Sequence, residues 1–172
     1  QPVTQTVLLQ RYDTPAFAEI RGAFNIDENN IIHVTADITS YVNLSDVRTF
    51  ISVNEKTTTE NHVEYGGNGE KEWHHVMMKM LPDAEGNITT LKAGEYQRFE
   101  FTYDMGATFM EEADDLEVAV WIQNYDTKEI FNSHYLYEYT EHPYPARNLH
   151  FSEGSRLKIK WDAPKEATPT AY

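Results

Sequence analysis

Alternation with period two runs through most of this chain, and an antiparallel β-structure is the fold type that accepts it. Side chains two residues apart share one face of a strand, so a half-buried strand reads apolar, polar, apolar. Ala16, Ala18, Ile20, Gly22, Phe24 and Ile26 alternate with Phe17, Glu19, Arg21 and Asn25. Asp27 to Asn30 then makes a turn, because Asp and Asn tolerate left-handed backbone and bond their own main chain. Ile32, Val34, Ala36 and Ile38 return with His33, Thr35, Asp37 and Thr39 between them. The spacing predicts a hairpin.

The pattern recurs over Val47–Val53, with Val47, Thr49, Ile51 and Val53 on one face. Asn61–Tyr65 and Trp73–Met80 flank the glycine-rich stretch 66–69, and Tyr96–Tyr103 is aromatic and β-prone. Leu116, Val118, Val120 and Ile122 alternate with Glu117, Ala119, Trp121 and Gln123; residues 125–128 turn the chain into Ile130–Tyr139. About eight or nine closely spaced strands are expected, as in an antiparallel sandwich. Helix signals are weak, enough for one short turn within Gly106–Asp115. The fold class is all-β: an antiparallel two-sheet β-sandwich, immunoglobulin-like or jelly-roll-like, over residues 1–142. Residues 143–172 form a linker and the first strands of a second unit.

Of 172 residues, 40% are hydrophobic and 24% charged, enough apolar material for a packed core. The formal charge of −14 repels phosphate backbones and anionic lipid, which argues against nucleic acid and membrane surfaces as partners. With no cysteine, disulfides, thiolate nucleophiles and cysteine-ligated zinc are excluded. No stretch approaches the roughly 20 apolar residues that span a bilayer, so this segment does not insert directly. Gln1–Thr4 lacks a basic start and an apolar run, and any signal peptide is expected upstream.

Two resemblances follow from particular stretches. Asn61–Val63, Trp73–Gly86 (WHHVMMKMLPDAEG), Val118–Asn124 (VAVWIQN) and Lys128–Ser133 (KEIFNS) resemble the β-sandwich region of Omp28-related outer-membrane proteins. That family has a His-Val-x-x-x-Leu kind of strand before an Asp/Gly turn. Later, a Val-x-Val-x-Ile-Gln kind of strand leads through a turn into Lys-Glu-Val/Ile. The likeness implies a secreted or cell-surface module of the Bacteroidota type, at the outer-membrane surface, with no catalytic residues to carry across. Pro145–Phe151, Leu157–Pro164 with Trp161, and Tyr172 resemble the opening of a fibronectin type III module. Such modules run to roughly 90–100 residues, which implies an incomplete fibronectin-like segment and a longer, multi-module parent.

Three constellations are candidates for chemistry. If Asn68-Gly69 forms a type I′ turn, His62 sits opposite His75. Cross-strand Cβ atoms about 5 Å apart would let the imidazoles share a zinc or copper ion; a hydrogen-bonded surface pair is the plainer account. Incidental calcium fits the acidic turns at Asp27–Asn30 and Asp83–Asn87 and the cluster Asp104, Glu111, Glu112, Asp114 and Asp115. Asp and Asn are also ordinary turn residues, and a solvated loop accounts for the acidic cluster. No other cofactor is implied. Trp121, on the face opposite Val118 and Val120, would form a sugar-stacking platform with Tyr135 and Tyr137, while Gln123 and Asn132 fix hydroxyls. In a two-sheet sandwich such aromatics also serve simply as core.

No serine lies in a nucleophile elbow, and no glycine-rich loop opens a helix. The expectation is a non-catalytic extracellular β-sandwich module of a larger secreted or outer-membrane-associated protein, acting as spacer or interaction module. Its partners would be neighbouring modules of the same polypeptide, and a surface protein or glycan. Glu55–Asn61 and Leu91–Glu95 are expected as the exposed variable loops. The alternative is a carbohydrate-binding module with an exposed aromatic platform.

Overall fold

The computed structural model describes residues 4–12, 15–59, 69–138, 147–152 and 158–162. The chain divides into two compact units, Gln1–Glu138 and Tyr139–Tyr172. Among the described residues of the first, one helix, α1 (Gln5–Tyr12), precedes nine strands: β1 (Ala18–Ile26), β2 (Ile31–Ser40), β3 (Leu44–Thr58), β4 (Trp73–Leu81), β5 (Asn87–Leu91), β6 (Tyr96–Asp104), β7 (Leu116–Asn124), β8 (Ile130–Tyr135) and β9 (Tyr137–Glu138). The helix was not expected; its Leu8-Leu9-Gln10-Arg11 run is composed of good helix formers. The expected helical turn appears as two 3₁₀ turns, Met105–Ala107 and Ala113–Asp115. In the second unit, β10 (Arg147–Ser152) and β11 (Lys158–Asp162) form an antiparallel pair.

The first unit is a two-sheet sandwich. One sheet has the order β6-β2-β1-β9, the other β4-β3-β7-β8 with β5 also on β3. All pairings are antiparallel except β1 with β9. The β1–β2 hairpin turns where the Asp27–Asn30 segment predicts. Asp27 Oδ1 accepts from the N–H groups of Asn29 and Ile31, and Asn30 takes a left-handed φ of 61°. These two bonds, led by the one from Ile31, hold the Asp27 carboxyl below its ordinary pKa. Gly22 is required for close approach, since a Cβ there would lie 2.1 Å from the Thr35 carbonyl oxygen.

The core lies where the two alternating faces meet. Ile20, Phe24, Ile32, Val34, Ala36, Ile38 and Phe99 come from one sheet, and Val47, Ile51, Val53, Leu81, Val118, Val120 and Ile122 from the other. Each fully buried Val, Ile or Phe stabilises by about 1.5–3 kcal/mol relative to exposure. Among the described residues no buried side-chain nitrogen or oxygen lacks a hydrogen-bond partner.

β3 is longer than its apolar run. It extends to Thr58, with β5 along its first half and β4 along its second. Glu55–Thr58 is therefore strand rather than exposed loop, and Glu55 is wholly buried. The Ile130–Tyr139 segment is likewise not one strand. It crosses from one sheet to the other at Leu136, which is buried and donates its N–H to Val118 O at 2.8 Å.

Candidate functional site

The outer face of the β3–β7–β8 region carries the feature most suited to holding a ligand. Core-facing Val118, Val120 and Ile122 leave Ala119, Trp121 and Gln123 pointing outward. The register sets Phe50 of β3 and Ser133 of β8 on either side of Trp121, and Tyr135 beside Ala119. Phe50 and Trp121 stack, their centroids 5.2 Å apart and their planes within 12°. Beyond Phe50 lies Gly86 of the β4–β5 turn, so close that a Cβ there would sit 2.8 Å from the phenyl ring. Gly86, with φ +70°, is a position where glycine is needed twice over.

Small side chains on the far side of the indole make a groove. Ala119 and Ser133 form its floor, and Trp121, Ile130 and Tyr135 stand around it, with His134 and the Val120 backbone strand adjoining. Its volume is about 560 Å³. Tyr135 and Ile130 are exposed, while Trp121 is half-buried. None of the lining side chains carries a fixed charge.

The sequence-designated binding residues separate here. Trp121 and Tyr135 meet at the groove. Gln123 shares their face, but its amide donates to Lys128 O at 2.9 Å and staples the β7–β8 turn. Asn132 lies opposite Ile122, on the inward side, and its amide reaches across to Ala18 O at 2.7 Å. That bond ties the two sheets together, and Asn132 is not available to fix a sugar hydroxyl. Tyr137 belongs to β9, beyond the crossing at Leu136, and pairs with Ala23 in the other sheet. The expected stripe of tyrosines is broken because the strand changes sheet.

His62 lies outside the described residues. The described part of that connection sets Thr58 against Trp73 and Thr57 against His74, a register offset from one that places His62 opposite His75. His75 itself has φ +56° and directs Nδ1 to within 2.8 Å of Glu117 Oε1. Among the described residues no three His, Asp or Glu side chains converge to hold a metal ion.

The acidic residues serve the backbone instead. Glu55 projects inward at the end of the sandwich, where its carboxylate accepts from Glu111 N–H at 3.0 and 3.1 Å and from Glu112 N–H at 2.6 Å. In return Asp115 accepts from Thr57 N–H and Glu111 from Thr59 N–H, each at 2.8 Å. β7 ends its pairing with β3 at Leu116, opposite Glu55. These carboxylates therefore satisfy donors that a longer β7 would have bonded. Asp83 and Asp104 similarly accept from Glu85 and Gly106 N–H groups within their turns.

Sequence reasoning missed Phe50, Gly86 and Ser133 as parts of the groove. Phe50 sits out of phase with Val47, Thr49, Ile51 and Val53, and an aromatic in the solvent phase of a central strand was the available signal.

A scan against protein families finds no match to this sequence, and a search of curated proteins finds none either. Among solved structures, HBP35 of Porphyromonas gingivalis is similar at a TM-score of 0.59 with 13% identity, over 90% of this chain and 54% of that one. This chain thus spans about half the length of HBP35. A domain of the outer membrane lipoprotein Omp28 from the same organism matches at a TM-score of 0.49 and 12% identity, over 73% of this chain and 93% of that one. The HBP35 likeness is the closer of the two and establishes a shared β-sandwich fold. Among the described residues no helix is long and apolar enough to cross a membrane.

Proposed function

We propose that this chain is a non-catalytic, extracellular β-sandwich module of a larger surface protein, and that it acts through recognition rather than reaction. The observation that carries this reading is where the polar groups go. Glu55, Glu111, Asp115, Asn132 and Gln123 are engaged in holding backbone together, and what remains open is an uncharged groove on an outer sheet face. The Omp28-like sequence pattern supports the assignment to a surface module, and the fold shared with HBP35 supports the β-sandwich itself. Neighbouring modules of the same polypeptide are the natural structural partners, with the Arg147–Asp162 pair of strands taken as the opening of a fibronectin-like module. The experiment is labelling of intact source cells with an antibody against residues 15–138. Signal without permeabilisation is expected; signal only after lysis would overturn the surface assignment.

A second reading, carbohydrate binding, is favoured by one observation: Trp121 and Tyr135 converge on a groove of about 560 Å³ whose floor is Ala119 and Ser133. Aromatic walls with a few polar groups are the usual make-up of a small-ligand site.

A further inference from the structure

The row Gly86–Phe50–Trp121–Ser133 runs across four segments of the chain on one outer face. Trp121 has one face against Phe50, so its other face is turned toward the side of Ser133. Ser133 is too short to cover an indole. A flat, vacant aromatic wall results, one side-chain layer wide, and its orientation is set from behind. Phe50 is only 8% exposed, with the Gly86 backbone against its ring, and it prevents the indole from folding back over β3.

The rim has a definite chemistry. Ser133 offers a hydroxyl and Tyr135 a phenol, and among the described residues neither side chain is hydrogen-bonded to protein. A pyranose ring has the matching arrangement, an apolar C–H face bordered by hydroxyl groups that donate and accept. The lining has no fixed charge, while the chain as a whole carries −14. A carboxylated or sulfated sugar would meet repulsion and no cation.

Resting on the carbohydrate reading above, we propose that the slot between Trp121 and Tyr135 binds a neutral hexopyranose unit stacked on the free face of Trp121. Phe50, pinned by Gly86, is the positioning residue that holds the indole for it. Recognition then depends on a preset wall, so little side-chain freedom is lost on binding.

The test is calorimetric titration of the full chain with neutral hexasaccharides (β-glucan, galactan and mannan) and with an acidic one, polygalacturonate. At least one neutral glycan is expected to bind. Trp121→Ala, and Ser133→Phe, which leaves Trp121 in place but covers its free face, are each expected to weaken it about tenfold or more. Phe50→Leu keeps the indole but loosens it and is expected to cost about threefold. Unchanged melting temperatures for Ser133→Phe and Phe50→Leu would separate these losses from misfolding. Neutral binding that ignores Ser133→Phe would overturn this slot while leaving carbohydrate binding intact elsewhere. Binding of polygalacturonate alone would overturn the neutral class, and no glycan bound at all would remove the carbohydrate reading together with the slot.

Discussion

Two regions of one strand pair, β3 with β7, put polar and aromatic side chains to opposite uses. Where the pair runs out, at Glu55 and Leu116, Glu55 turns inward to accept from the Glu111 and Glu112 N–H groups, while Asp115 and Glu111 accept from Thr57 at the end of β3 and Thr59 just past it. Toward the middle, Phe50 and Trp121 turn outward and make a wall beside an open groove. The acidic cluster resembles a site in sequence and is architecture in space. The tryptophan reads in sequence as either platform or core and is half open. The lesson is that the destination of a hydrogen bond distinguishes the two, and residue type alone does not.

The sharpest way to break this contrast is Glu55→Ala. It would take the wholly buried acceptor away from the N–H groups of Glu111 and Glu112 and is expected to destabilise the first unit by about 3 kcal/mol. Urea unfolding measures the loss, and hydrogen exchange at Thr57, Thr59, Glu111 and Glu112 should accelerate before the rest. A cost near zero would mean that the carboxylate is not what holds the segment. Trp121→Ala is the counterpart. Removing a half-buried ring that stacks on Phe50 is expected to cost about 1 kcal/mol, clearly less than Glu55→Ala, although it should weaken the proposed glycan binding about tenfold or more. If the order of the two costs were reversed, the groove would be structural and the clamp incidental.

The smallest effect concerns Asp27, a partly exposed counterpart of the Glu55 arrangement. Its folded pKa is depressed by the hydrogen bonds from Ile31 and Asn29. The carboxylate therefore contributes stability that is present above its unfolded pKa of about 3.9 and is lost as pH falls through the lower folded value. Unfolding measured between about pH 5 and 2 should show less acid sensitivity in Asp27→Asn than in the parent chain. Equal slopes would show that the turn draws nothing from the charge.

The hairpin of β1 and β2 was legible because its alternation and its Asp/Asn turn agree, and β7 because Leu116, Val118, Val120 and Ile122 keep phase throughout. Glu55 was illegible for a physical reason. Its side chain continues the inward phase of Ile51 and Val53, but a charge reads as a loop unless donors are known to arrive, and they come from 56 and 57 residues away. β5 was passed over as part of a turn and loop, its five residues being too short for a periodic signal. Tyr135 and Tyr137 looked like one stripe because period two continues through a strand that changes sheets. The clue was Asn132, a polar residue in the inward phase, whose role appears only when β1 lies across from it. Of the groove, Trp121 and Tyr135 could be named in advance; the floor and the backing could not, since both depend on cross-strand register.

The crossing at Leu136 has a mechanical consequence. Beyond Tyr135 the chain is fastened to the first unit by the Leu136 N–H bond to Val118 and by the short parallel pairing of Tyr137 and Glu138 with Ala23 and Phe24. Parallel neighbours pulled from opposite ends are loaded lengthwise, so their bonds resist together instead of opening one after another. Tension applied between the segments before β1 and after β9 would thus meet a shear latch at the exit of the sandwich. The aromatic wall, on β3 and β7, would stay off the line of force until that latch gave way.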